Sequence, residues 1–155
     1  LNVNINLDVK DITNINELNN LKLKLSLEQG NITVSKSQIL WKNDLQIILK
    51  EGFINHDEDK ISLIGKLVIN AKNIDNFYKS FQIKKKYRND INQIEMDFVY
   101  NLNNSKFKFD NIKIDGATNK NLSNFIDKYN SRGKVFLNKI IFKNFINNFF
   151  TSYAG

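Results

Sequence analysis

The sequence has 155 residues, 41% of them hydrophobic and 25% charged, with a formal net charge of +7 at pH 7. The length is that of one domain, the balance of apolar and charged residues excludes a disordered chain, and the absence of cysteine excludes disulfides and thiolate metal sites. The positive charge permits an anionic partner, but lysine at alternating strand positions is equally typical of a solvated sheet face.

The start of the sequence indicates a piece of a longer protein. The first residue is Leu1 rather than Met, and no signal-peptide pattern precedes the first patterned segment. No run of 18 or more apolar residues is present, so no segment is expected to cross a bilayer by itself. We expect a fragment, with any membrane anchor outside it.

Strict alternation of apolar and polar residues predicts β-strands in the N-terminal half, because successive side chains of a strand point to opposite faces. The alternation is clearest over residues 3–9 and 21–27. After it, Glu28-Gln29-Gly30-Asn31 predicts a tight turn into a strand that carries Ile32 and Val34. Further strands are predicted near 37–42, 45–50 and 61–70, with an exposed connection at 56–59. The short connections favour an antiparallel meander.

The pattern changes in the second half of the sequence. Asn73 is a candidate N-cap for a helix near 73–82, and strands resume over 94–100 and 107–114 around a turn at Asn103-Asn104. Helical spacing then predicts a helix over 120–131 that ends at Gly133, and a strongly apolar one that follows Asn138 to about residue 150. The predicted fold is α+β but mostly β: an antiparallel meander sheet, curved or groove-like, over residues 1–116, with short helices clustered toward the C-terminus. We predict one β-rich domain over residues 1–155.

Residue types that carry catalysis are few and scattered. The single histidine, His56, precedes three acidic residues, but consecutive residues of a polar loop rarely converge on one ion. The aspartate pairs at 8 and 11 and at 110 and 115 are expected to point to solvent, and the isolated glycines form no phosphate-binding loop. We expect no enzyme, no metal site and no cofactor.

One dense basic run, Lys84-Lys85-Lys86-Tyr87-Arg88, lies between the predicted helix and the strand at 94. A solvated loop is the first interpretation, and contact with a lipid headgroup through Lys84, Lys85, Lys86 and Arg88 is the second. Nucleic-acid binding is a third, with salt-sensitive binding as its signature, but we expect no nucleic-acid partner.

The predicted sheet has one wide apolar face that must be covered by something. Helices, a second sheet or an apolar ligand can do so, because a large apolar patch is unfavourable in water. The helices over 120–150 can cover part of it, whereas the N-terminal strands have no helix near them in sequence.

The order of these segments resembles the AsmA family. The similarity is carried by the strand 61–69 with Gly65 entering a short helix over 70–78, and by residues 87–91 leading into the strand at 94–98. It continues through residues 107–114 to an Asp115-Gly116 close, and the alternating strands 21–34 with their internal glycine turn are also similar. The resemblance covers about residues 1–116.

The resemblance implies a bacterial envelope protein of a Gram-negative cell, anchored in the inner membrane by an N-terminal helix and reaching into the periplasm. AsmA-like sheets curl into a groove, and the family is implicated in moving phospholipid toward the outer membrane; it supplies no catalytic motif. The implied function is a β-groove module that binds or conducts phospholipid acyl chains, with neighbouring β-segments of the parent chain as partners. We expect the lipid-binding residues to be Leu21, Leu23, Leu25, Leu27, Leu67, Ile69, Met96 and Phe98. The alternative is a structural or protein-interaction module that pairs through its sheet edges.

Overall fold

A computed structural model describes residues 2–13, 16–57, 59–132 and 138–155. In these residues seven strands form one sheet, and every strand is antiparallel to its neighbour in sequence. The strands are β1 (Asn2–Asp11), β2 (Leu18–Glu28), β3 (Asn31–Trp41), β4 (Leu45–Asp57), β5 (Lys60–Ala71), β6 (Gln93–Asn101) and β7 (Lys106–Ile114). The helices are α1 (Ile74–Ser80), α2 (Lys120–Arg132) and α3 (Lys139–Ala154), with a 3₁₀ turn at Lys85–Tyr87. The predicted antiparallel meander with helices toward the C-terminus is confirmed.

Two strands are longer than predicted. The sequence predicts one strand that carries Ile32 and Val34 and another near 37–42, but the structure joins them in a continuous β3 in which Lys36 takes a φ of 50°. Such irregularities bend a strand without ending it. Likewise β4 continues to Asp57, so His56 lies in a strand rather than in the expected connection, and Glu58 lies outside the described residues.

The turn between β2 and β3 follows directly from the sequence. Gln29 and Gly30 both have positive φ, 50° and 82°, which is the backbone of the two-residue hairpin turn that matches the right-handed twist of the strands. Glycine takes this conformation without steric cost. The predicted hairpin is confirmed.

Both predicted helix caps are present. The Asn73 side chain accepts a hydrogen bond from the Asn76 N–H at 3.1 Å, and the Asn138 side chain accepts one from the Ile141 N–H at 2.9 Å. Each satisfies a backbone donor that the first helical turn leaves free. Gly133, the expected end of the helix before it, lies outside the described residues.

Helix α3 crosses the ends of the strands rather than following them. Near its start Lys139 Nζ lies 3.5 Å from a Glu17 carboxylate oxygen, in its middle the Asn147 side chain donates to the Phe81 carbonyl oxygen at 3.0 Å, and near its end the Asn119 side chain donates to the Tyr153 carbonyl oxygen at 3.2 Å. These partners belong to segments that precede β2, follow α1 and follow β7. Helix α3 therefore lies across one end of the sheet.

An aromatic-rich core lies between α3 and the sheet. Phe149 and Phe150 of α3, Phe77 and Tyr78 of α1, and Leu122 of α2 are all buried there. Each fully buried side chain of this size contributes about 1.5–3 kcal/mol relative to an exposed one. Burial of Phe149 and Phe150 thus accounts for the apolar C-terminal half of α3, whereas Ile140 at its start is 71% exposed.

Candidate apolar binding face

One row of directly paired residues crosses the sheet from its free edge into the core. It comprises Ile5, Leu25, Val34, Gly52, Gly65, Phe98 and Phe109, one residue from each strand. Directly opposite residues of an antiparallel pair share a face, so all seven lie on the face that the helices cover. Ile5 is 52% exposed whereas Phe98 is 5% exposed. The apolar face is therefore continuous, but the helices cover only part of it.

The uncovered part is made by the first three strands, and we call it the open face. It consists of Val3, Ile5, Leu7 and Val9 of β1, Leu21, Leu23, Leu25 and Leu27 of β2, and Ile32 of β3. Leu7 is 46% exposed and Ile32 is 39% exposed, while the β2 leucines are partly buried by their neighbours on β1 and β3. In the described part of the chain, none of the nine belongs to the core cluster beneath the helices. An apolar patch of this kind typically marks a binding surface.

A notch separates the open face from the core. Gly52 and Gly65 face each other on β4 and β5, so the row has no side chain at these two positions. A Cβ at Gly65 would lie 3.1 Å from Cε1 of Phe98 and 2.6 Å from the carbonyl oxygen of Glu51. The Phe98 ring thus occupies the space beside Gly65. Because the two glycines have no side chains, they leave the shallow notch between the open face and the covered half.

The structure divides the eight predicted lipid-binding residues into two groups. Leu21, Leu23, Leu25 and Leu27 lie on the open face, as does the first strand that the prediction left out. Leu67, Ile69, Met96 and Phe98 lie in the covered half. Met96 and Phe98 are part of the core, and Leu67, Ile69 and Met96 line a cavity below α3. Only the β2 leucines are therefore placed where a large ligand can reach them directly.

The basic run lies apart from the open face. Lys84, Lys85 and Lys86 are exposed around the 3₁₀ turn, Lys86 Nζ is 4.7 Å from the centroid of the Tyr87 ring, and Arg88 Nε donates to the Ile83 carbonyl oxygen at 2.9 Å. The run precedes β6, and β2 lies four strand spacings from β6, roughly 19 Å. The structure does not bring these cations to the β2 leucines.

The two edges of the sheet differ. On β7 the Asn130 side chain of α2 accepts from the Phe109 N–H at 3.0 Å and donates to the Phe109 carbonyl oxygen at 2.7 Å, so an amide group takes the place of a further strand. Among the described residues no strand pairs with the outer side of β1 over Asn2–Asp11. The free backbone groups of an edge strand are a template for pairing.

The opposite face of the sheet is mixed, because polar side chains share it with apolar ones such as Ile48 and Val68. Four amide side chains form a ladder across β3 to β6: Gln46 donates to Gln38 at 2.8 Å, Asn70 to Gln46 at 3.5 Å and Gln93 to Asn70 at 2.9 Å. Lys66 and Asp97 lie 3.9 Å apart on the same face. In β1 and β2 this face is polar and exposed, as at Asn4 and Lys22, so the sheet has one apolar face and one mixed face.

Titratable groups with shifted pKa values are spread over the molecule. Burial raises the pKa of Tyr78 well above its ordinary value, and its hydroxyl donates to the Asn89 carbonyl oxygen at 2.8 Å. Burial also raises the pKa of Tyr129 to about 12. A hydrogen bond from its own backbone N–H, and secondly the Lys139 ammonium, hold the pKa of Glu17 below its usual range. None of these groups adjoins the open face, and residues 2–13, 16–57, 59–132 and 138–155 hold no cluster of three or more potential metal ligands.

Sequence reasoning missed part of this surface although the signal was present. Val3, Ile5, Leu7 and Val9 show the same alternation as the β2 leucines, and pairing of adjacent strands in a meander places Val3 opposite Leu27 and Val9 opposite Leu21. Extending the predicted site across that hairpin would have added β1.

Comparison with known proteins identifies no relative of the chain. None of the helices in the described segments is long and apolar enough to cross a membrane. No family model, no curated protein and no solved structure matches the chain.

Proposed function

We propose that the chain binds the acyl chains of phospholipid on its open face. The observation that carries the proposal is that nine apolar side chains of β1, β2 and β3 form one surface next to a well-covered core, with Ile5 and Leu7 about half exposed. A sheet whose apolar face is covered by helices at one end and open at the other can hold an apolar ligand.

The physical driving force is removal of apolar surface from water. Each methylene group that is fully buried contributes about 0.8 kcal/mol, so a chain of ten or more methylenes gains several kcal/mol even when only half of it is covered. The parallel rows of side chains on a sheet suit extended acyl chains, and the exposed polar side chains on the opposite face of β1 and β2 keep the assembly hydrated. The proposed activity is binding or conduction, without a chemical reaction.

The proposed setting is the bacterial envelope, with the chain as a β-groove module of a periplasmic, inner-membrane-anchored parent protein. This setting rests on the resemblance to the AsmA family described above. The open face supports it because movement of phospholipid between membranes needs an apolar path through water. The headgroup role of Lys84, Lys85, Lys86 and Arg88 is not part of the proposal, because they lie far from β2.

A lysine placed on the open face tests the proposal. Ile5→Lys is expected to lower the amount of bound phospholipid about tenfold, equivalent to about 1.4 kcal/mol, because an ammonium group must lose water when an acyl chain covers it. Asn4→Lys adds the same charge one residue away on the polar face and is the matched control. Bound lipid is quantified by mass spectrometry of organic extracts and by titration with a fluorescent phospholipid.

The control should bind as the unaltered chain does, and both variants should melt at similar temperatures. Equal loss of lipid from the two variants, or an unaltered chain that carries and binds no lipid, contradicts the proposal.

A second candidate function is supported by the unequal edges of the sheet. Asn130 blocks the β7 edge at Phe109, whereas no strand of the described residues pairs with the outer side of β1, so β1 is the edge at which a strand from another chain would add. A second copy of the chain is the probe, with sedimentation equilibrium as the measurement. A lysine on either face of an edge strand disfavours pairing, so Ile5→Lys and Asn4→Lys should weaken self-association equally. A chain that stays monomeric at every concentration contradicts pairing between copies.

A further inference from the structure

A cavity of about 200 Å³ lies between α3 and the sheet. Its walls are apolar throughout, with Leu67, Ile69 and Met96 from the strands below and Phe145, Ile146 and Phe149 from the helix above. Ala71 also lines it, opposite Leu45 at the ends of β5 and β4, and its small side chain leaves part of the space.

The chemistry of the walls decides what this space can hold. A water molecule in a protein interior needs two to four polar partners, and the side chains around this cavity provide none. Apolar cavities of about 150 Å³ stay dry and accept benzene or xenon. A cavity of the size seen here therefore has room for a compact hydrocarbon and a lining that excludes charged groups.

The geometry points to a second apolar site in this cavity, separate from the open face, which takes one small uncharged hydrocarbon group of about the size of benzene. The site does not rest on the function proposed for the open face. Leu67, Ile69 and Met96, predicted from the sequence as part of a lipid-binding surface, act here as walls of a compact site below α3.

Met96 provides a direct reporter. It is the single methionine of the chain and lines the cavity, so labelling methionine methyl groups with carbon-13 gives one resonance that senses its contents. Titration with benzene is expected to shift this resonance saturably and to raise the melting temperature, because a ligand that binds only the folded state stabilises it. Benzoate, which carries a charge on the same ring, is expected to produce neither effect.

Variants at the wall complete the test. Ala71→Leu fills the cavity and should abolish the saturable shift, whereas Ile146→Val enlarges it slightly and should favour toluene over benzene. If Ala71→Leu fails to fold, the preference of Ile146→Val for toluene and the response of the unaltered chain to benzene and benzoate still test the inference. A Met96 resonance that benzene does not shift saturably, equal shifts from benzene and benzoate, or full binding by folded Ala71→Leu would overturn the inference.

The two apolar sites can fail separately. Ile5→Lys lies on β1, outside the cavity walls, and should leave the benzene response unchanged while it lowers phospholipid binding. Loss of the benzene response with lipid binding intact would remove the cavity site alone, and the reverse result would remove the open face alone.

Discussion

Replacing Gly65 with alanine is expected to lower the free energy of unfolding by about 3 kcal/mol, the upper part of the range for overpacked sites. The added Cβ would lie 2.6 Å from the Glu51 carbonyl oxygen and 3.0 Å from Cδ1 of Leu49. The first of these atoms is backbone, at the point where the register of β4 and β5 shifts between Leu49 and Glu51, so relief requires movement of a whole strand. Urea unfolding followed by Trp41 fluorescence measures the change.

Gly52 is the matched control, because it faces Gly65 directly across the two strands. A Cβ there would lie no closer than 3.4 Å to any neighbour, which is ordinary van der Waals contact. Gly52→Ala should cost less than about 1 kcal/mol, since alanine also reduces the entropy that glycine loses on folding. Equal destabilisation by the two substitutions would show that the close approach at Gly65 is not what requires glycine.

Replacing Phe98 with lysine is expected to abolish cooperative folding. Phe98 is 5% exposed, and removal of its ring costs about 3–5 kcal/mol before the ammonium group is considered. Burial of an unpaired charge costs several kcal/mol more, and the sum approaches or exceeds the whole stability of a typical domain, about 5–15 kcal/mol. The expected result is the absence of a thermal transition in circular dichroism.

The same substitution elsewhere in the same cross-strand row provides the contrast. Ile5→Lys places the charge at a residue that is 52% exposed, so it should retain a cooperative transition close to that of the unaltered chain. Phe98→Leu, which keeps an apolar side chain, should fold with moderately reduced stability. A folded Phe98→Lys variant would contradict the burial of Phe98 in the core.

The strands and helix caps could be read from the sequence because their causes are local. Alternation places the β2 leucines on one face, two asparagines supply the caps, and Gln29-Gly30 supplies the turn. The interruption at Lys36 could not be read in this way, because a positive φ within a strand has no side-chain pattern of its own.

The extent of the covered face depended on distant contacts. Asn147 bonds to a carbonyl group 66 residues earlier, and this contact with others fixes where α3 lies on the sheet. Alternation identifies Leu25 and Met96 as apolar-face residues alike, but it does not say that a helix lies over Met96 alone. The sequence therefore predicted the apolar character of the face, while its division into an open surface and a separate cavity below α3 required coordinates.

The amide of Asn130 makes the two edges of the sheet unequal as places where a further strand can add. Asn130 occupies both backbone hydrogen-bonding groups of Phe109, so a further strand is blocked at this position of β7, whereas no strand of the described residues pairs with the outer side of β1. If further strands join this sheet, they are expected to add beside β1. Each added strand with the same alternation would enlarge the open face and leave the cavity below α3 unchanged.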